Sequence, residues 1–306
     1  YSNDFSIENL EVIRRYQSNE DNVFFAYSEF SYNTLVGAYE PFLDIICNMH
    51  RHFIGGSFDD FQKECGVYYL HRQVLNSYYE TGECFREETV LLNEVAYEQR
   101  RMTKAIVDML KRLSEVRPLM IVINRFQMAS KSSIETIKYL IDNPCTNIGI
   151  VLGVNVQVKG TDSTVEVWDR IVESLEDRSA IYYIGSAGQQ KNHIRDTSDD
   201  ELYITTNFEQ SIQEASNIME FLDYEQARRG CRIIEHKIKF EDAWIDEKSL
   251  RRFYLIYART SVLLGEMSKA IELTNEYKAL IPESDSEHYF SIYYFMKGTC
   301  YMYQGK

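Results

Sequence analysis

Leu119-Met120-Ile121-Val122-Ile123-Asn124-Arg125-Phe126-Gln127-Met128-Ala129-Ser130 is an apolar run that stops abruptly at polar residues. A segment of helical texture follows from Ser132 to about Asp142. This pattern predicts a strand buried on both faces that delivers polar side chains to the carboxyl edge of a parallel sheet. Asn124, Arg125 and Gln127 are therefore expected at that edge.

Working outward, three more short runs rich in branched or aromatic residues read as strands: Val23 to Tyr27, Ile148 to Val154 and Ala180 to Ile184. Helical segments alternate with them. Pro41 suits a first helical turn, and Phe42, Ile45, Ile46, Met49 and Phe53 follow at helical spacing. Leu91, Val95, Met102, Ile106, Met109, Leu110 and Leu113 form the stripe of a long helix that Arg117-Pro118 ends. Asp60 to Leu75 also reads as helical. The alternation predicts an α/β parallel sheet over residues 1–206.

From residue 207 to the end helical periodicity dominates, which predicts an all-α repeat domain. Leu222-Asp223-Tyr224-Glu225-Gln226-Ala227 and Gly265-Glu266-Met267-Ser268-Lys269-Ala270 share a spacing, with their alanines 43 residues apart. A third unit starts near Tyr289, with Gly298, Tyr301 and Gly305 at matching offsets. Small residues at such places let paired helices approach closely. The third unit holds only its first helix, where a solenoid normally carries a polar cap, so the intact protein is expected to continue.

The formal net charge of -14 argues against phosphate backbones and anionic membranes as partners. Arg100-Arg101 and Lys111-Arg112 read as a solvated helix face. The six cysteines form no C-x-x-C pair and read as reduced, mostly buried thiols of a cytoplasmic protein. No apolar run approaches the ~18 residues of a membrane span.

The first half resembles the STAND class of P-loop signalling ATPases, which pair a nucleotide switch with a helical-repeat sensor. The likeness rests on Tyr39-Glu40-Pro41-Phe42 as an aromatic-x-Pro-aromatic helix start. It rests also on Leu119 to Ser130 as the Walker B strand and on Ile148 to Asn155 as the next strand, whose end carries a sensor. The resemblance implies a P-loop NTPase-like sheet with nucleotide-facing positions at Asn124, Arg125, Gln127 and Asn155. The chain contains no G-x-x-x-x-G-K-[ST] loop. The helix from Ile7 to Arg15 stands where the helix after that loop belongs, so the loop is expected before Tyr1. ATP or ADP would bind only with such an upstream loop. Asn124 lacks the charge to hold magnesium and Arg125 would repel it, while Gln127 could orient a water and Asn155 could sense a γ-phosphate. The implied protein is a degenerate ATPase at most, with no catalytic residue and no metal ligand assigned.

The second half resembles tetratricopeptide repeats from Leu250 to Pro282: Ala258, Gly265, Ala270 and Pro282 match, while Tyr254 and Ser261 replace the usual tryptophan and tyrosine. Its spacing exceeds the usual ~34 residues, as in the longer repeats of maltose-regulator-type proteins. This implies a protein or small-molecule ligand bound through the repeats, and leaves self-association open. The alternative is a non-catalytic interaction scaffold.

Other constellations carry less. Cys47, His50 and His52 do not converge as zinc requires. Asp59-Asp60 and Asp199-Asp200-Glu201 read as caps or solvated loops, and Gly185 to Gly188 as a turn. The aromatic residues between Tyr289 and Tyr303 read as repeat core, with some rings lining a ligand groove.

Overall fold

The computed structural model of the protein describes residues 22–30, 35–85, 94–153, 208–240 and 245–304. The expected strand Ala180–Ile184, the helix Ile7–Arg15 and the sensor position Asn155 lie outside them. The described residues are mostly helical, with one small parallel sheet. They belong to two compact units. One is drawn from residues 1–32, 39–68 and 102–197, the other from 33–38, 69–101 and 198–306. The second unit thus takes residues 33–38 and 69–101 in addition to the repeats, which a single boundary after residue 206 does not anticipate.

In the first unit, β1 (Phe24–Glu29), β2 (Leu119–Asn124) and β3 (Ile148–Leu152) form a sheet in the order β1-β2-β3, all parallel. Phe24 lies opposite Leu119, and Leu119 opposite Ile148. The central strand is apolar on both sides because both faces are covered: Ile121, Val122 and Ile123 are fully buried. β1 and β3 are half-buried, as flanking strands are. Gly149 leaves room beside β2 for Met120, whose Cε would lie 2.8 Å from a Cβ placed there.

Helix α1 (Phe42–Met49) buries Phe42, Ile46 and Met49 and continues as a π-helical turn, His50–Ile54, ended by Gly55. The helical spacing out to Phe53 is therefore met by two kinds of helix. Pro41 precedes α1 instead of opening it, after a cis peptide bond from Glu40. The stretch Asp60 to Leu75 is not one helix. It is α2 (Phe58–Glu64) and the start of α3 (Tyr69–Thr81), parted by Gly66 at φ 70°. A positive φ cannot continue a right-handed helix, and glycine adopts it without steric cost. Ser57 caps α2, while Asp59 and Asp60 pair with Lys63 on its exposed side. Helix α4 (Val95–Val116) buries Met102, Ile106, Met109, Leu110 and Leu113 as its stripe predicts. Helix α5 (Lys131–Asp142) links β2 to β3.

The second unit contains α6 (Phe208–Glu220), α7 (Tyr224–Phe240), α8 (Glu247–Leu263), α9 (Met267–Ala279) and α10 (Ser286–Tyr303). Helix α6 packs on α7, and α8 packs on α9. Helix α8 also packs on α6 and α7, and α10 on α8 and α9. This is a row of hairpins in which each contacts its neighbour. The 43-residue offset extends beyond the alanines found by sequence. Ala215 and Ala258 are buried at equivalent places in α6 and α8. In the second helices Ala227, Gly230, Cys231 and Ile234 recur as Ala270, Leu273, Thr274 and Tyr277, all buried. That is one face at i, i+3, i+4 and i+7.

Candidate functional site

The carboxyl edge of β2 is built by its last residue and the turn after it. The Asn124 side chain accepts from the backbone N–H of Arg125 at 3.0 Å. Arg125 takes a left-handed conformation, φ 54° and ψ 41°. That turn lets the backbone N–H of Phe126 donate to Gly153 at 2.9 Å, tying the loop to the end of β3. The Arg125 guanidinium reaches the next strand and pairs with Glu29 at 3.1 Å, both groups being partly exposed. Glu29, opposite Asn124 in register, also accepts from the Tyr27 hydroxyl at 3.1 Å. The edge is thus lined by an arginine–glutamate pair. Gln127 is buried in the 3-10 turn Phe126–Met128. Asn124 and Arg125 stand together there as the sequence suggests. Glu29 went unnoticed, although its signal was legible as an acidic residue closing the neighbouring strand.

Behind the edge lies a buried hydroxyl cluster that sequence reasoning missed. Ser130 caps α5, and its hydroxyl lies 3.0 Å from that of Ser132 and 2.9 Å from that of Ser133. Ser132 accepts from the Tyr39 backbone N–H at 3.0 Å, and Ser133 donates to the Glu40 carbonyl at 2.6 Å. These bonds hold the segment Tyr39-Glu40-Pro41, in which Tyr39 has φ 57°. Each buried hydroxyl finds a partner, as the cost of desolvation requires. The serines act as a clamp on the backbone leading into α1.

A second candidate lies in the helical unit. A groove of about 660 Å³ is lined by Arg232, Glu235, Tyr257, Glu266, Ser268 and Lys269. Its charges are cross-linked. Arg228, beside it, pairs with Glu266 at 2.6 Å, and Lys269 pairs with Glu235 at 3.0 Å and Glu272 at 2.9 Å. Burial pushes the Tyr257 phenol up to about 12, helped by the neighbouring Glu235 carboxylate. Burial alone would raise Glu235, but hydrogen bonds from Lys239 and Lys269 overcome it and hold the carboxyl below its ordinary value. The ammonium of Lys269 stands 5.5 Å from the centre of the Tyr257 ring, a cation–π contact.

Among the described residues no group of three or more His, Cys, Asp or Glu side chains is arranged to hold a metal ion. Among them, too, no helix is long and apolar enough to cross a membrane. Compared with family models, curated proteins and solved structures, the chain matches none.

Proposed function

We propose that this chain is a regulatory protein in which an ATPase-like sheet module, resembling the STAND signalling ATPases, is joined to a tetratricopeptide-like sensor, with little or no nucleotide hydrolysis. The observation that carries this reading is the end of β2. A central, buried parallel strand opens onto Asn124 and Arg125, and the carboxylate met there, Glu29, is neutralised by Arg125. Hydrolysis in such switches needs an acidic group free to hold magnesium and a positioned water. In that class the phosphate-binding strand lies inside the sheet. Among the described residues no strand flanks the outer edge of β3, whose residues are half-exposed. The helical unit supplies the sensor, through a groove whose fixed charges of both signs suit a protein segment or a small charged ligand.

The test is nucleotide titration and phosphate release, on this chain and on one extended upstream through its own gene. Magnesium-dependent turnover would contradict the reading. Binding of ATP or ADP without turnover would support it. The competing reading is an interaction scaffold, favoured by the same Arg125–Glu29 pair because it fills the edge with the protein's own charges. Failure of the extended chain to bind nucleotide would select it.

A further inference from the structure

Gly230 lies in the interior of α7, where glycine is unfavourable. Its surroundings explain it. A Cβ built there would lie 2.7 Å from one terminal methyl of Leu35, 3.4 Å from the other, and 3.6 Å from the Cβ of Ala215 on α6. The two small residues form a notch, and Leu35, from a segment far away in the chain, fills it. One repeat later Ala258 stands for Ala215 and Leu273 for Gly230, and Leu273 is buried. The second hairpin carries in its own helix the leucine that the first receives from elsewhere.

Residues 35–37 have no helical or strand structure. Val36 and Ala38 are buried, and the side-chain amide of Gln226 donates to the Val36 carbonyl at 3.1 Å, also buried. Gln226 stands four residues before Gly230, so one face of α7 supplies both the notch and the donor. All of these residues belong to the second unit. A bond to a main-chain carbonyl reads no sequence, whereas a notch for one side chain does. That division is how folded modules hold extended peptides. The segment 33–38, Asn-Thr-Leu-Val-Gly-Ala, carries no charge.

We propose that the α6–α7 face is a binding site for an extended, uncharged protein segment with leucine at the notch, and that residues 35–38 occupy it in cis. A partner bearing such a segment binds by displacing them. Tethering gives the internal segment a high effective concentration, so the site is closed to weak competitors and opens to a stronger one. The next residue, Tyr39, is the one whose N–H donates to the Ser132 hydroxyl. Displacement therefore removes one of the two anchors of this stretch and leaves the other. The inference rests on contacts within the helical unit and is independent of any nucleotide switch.

The experiment uses the whole chain and a fluorescent synthetic peptide of residues 33–40, followed by anisotropy. Leu35→Ser weakens the internal segment, and this variant is expected to bind the peptide about tenfold more tightly than the wild-type chain. Adding Gly230→Leu fills the notch from α7 itself, as Leu273 does in α9. The double variant should lose peptide binding and recover the melting temperature that Leu35→Ser lowers. Equal affinity of the peptide for the wild type and Leu35→Ser, or binding that survives Gly230→Leu, would overturn the proposal. Native-state amide exchange tests it on the wild-type chain without any variant. The amides of residues 36–38 are expected to exchange about tenfold faster than those of Ala227 to Ile234, because the segment leaves while α7 stays folded. Exchange of both at one rate would make the segment a fixed part of the core and would also overturn it.

Discussion

Leu222 and Gly265 hold the same place in successive hairpins, at φ 70° and 78°. Each donates its N–H three residues back, to Met219 and Val262. The next residue donates five back, from Asp223 to Ile218 and from Glu266 to Ser261. Both are Schellman turns. A side chain at positive φ costs ~1–2 kcal/mol, and Leu222 offsets that by burying its side chain almost completely.

Substitution should therefore destabilise both positions, but for different reasons. Gly265→Ala is expected to cost about 1 kcal/mol through backbone strain alone, since its Cβ would meet nothing within 4 Å. Leu222→Gly relieves the strain but loses a buried leucine worth ~2–5 kcal/mol, for a net destabilisation. Urea denaturation followed by helical signal measures both.

Arg125 also has positive φ, but its side chain is partly exposed and its ion pair with Glu29 lies at the surface. Such a pair contributes ~0.2–1 kcal/mol, about what the strain costs. Arg125→Gly is expected to leave the melting temperature within a degree or two or to raise it. If the same variant loses a ligand or partner, Arg125 is kept for binding. A large loss of stability would refute this account of the edge.

Glu235 sets a pH dependence. Its folded pKa lies below its ordinary value, so its contribution is fully present above that ordinary value, about 4.5. It is lost as pH falls through the lower folded value. The helical unit should weaken below about pH 4.5, and Glu235→Gln should flatten that part of the profile. Thermal melts from pH 3 to pH 7 report it.

Burial pushes the Cys47 thiol up to about 12 and the Cys65 thiol to about 11, and raises Cys231 as well. Thiolate is the reactive form. Cys47 and Cys231, both buried, should resist iodoacetamide at pH 8 in the native protein and react after denaturation. Labelling followed by peptide mass analysis checks each cysteine separately.

Some of this was legible along the chain and some was not. The strand at Leu119 and the stripe of α4 follow from periodicity, because each residue's burial is set by its own neighbours in sequence. Ala227 and Ala270 revealed the repeat because small residues in a helix pair must recur. The aromatic stretch of α10 misled: Tyr293 is core, but Tyr294, Phe295 and Tyr301 face outward. Composition cannot tell which side of an apolar helix is covered.

By itself the sequence determined the parallel strands, the polar break at Asn124 and the hairpin period, all of which depend on local pattern and steric preference. Only the tertiary structure decided that Arg125 meets Glu29 and that three serines clamp Tyr39 and Glu40. Those are meetings between segments up to 96 residues apart. They are set by how the packed elements bring the segments together.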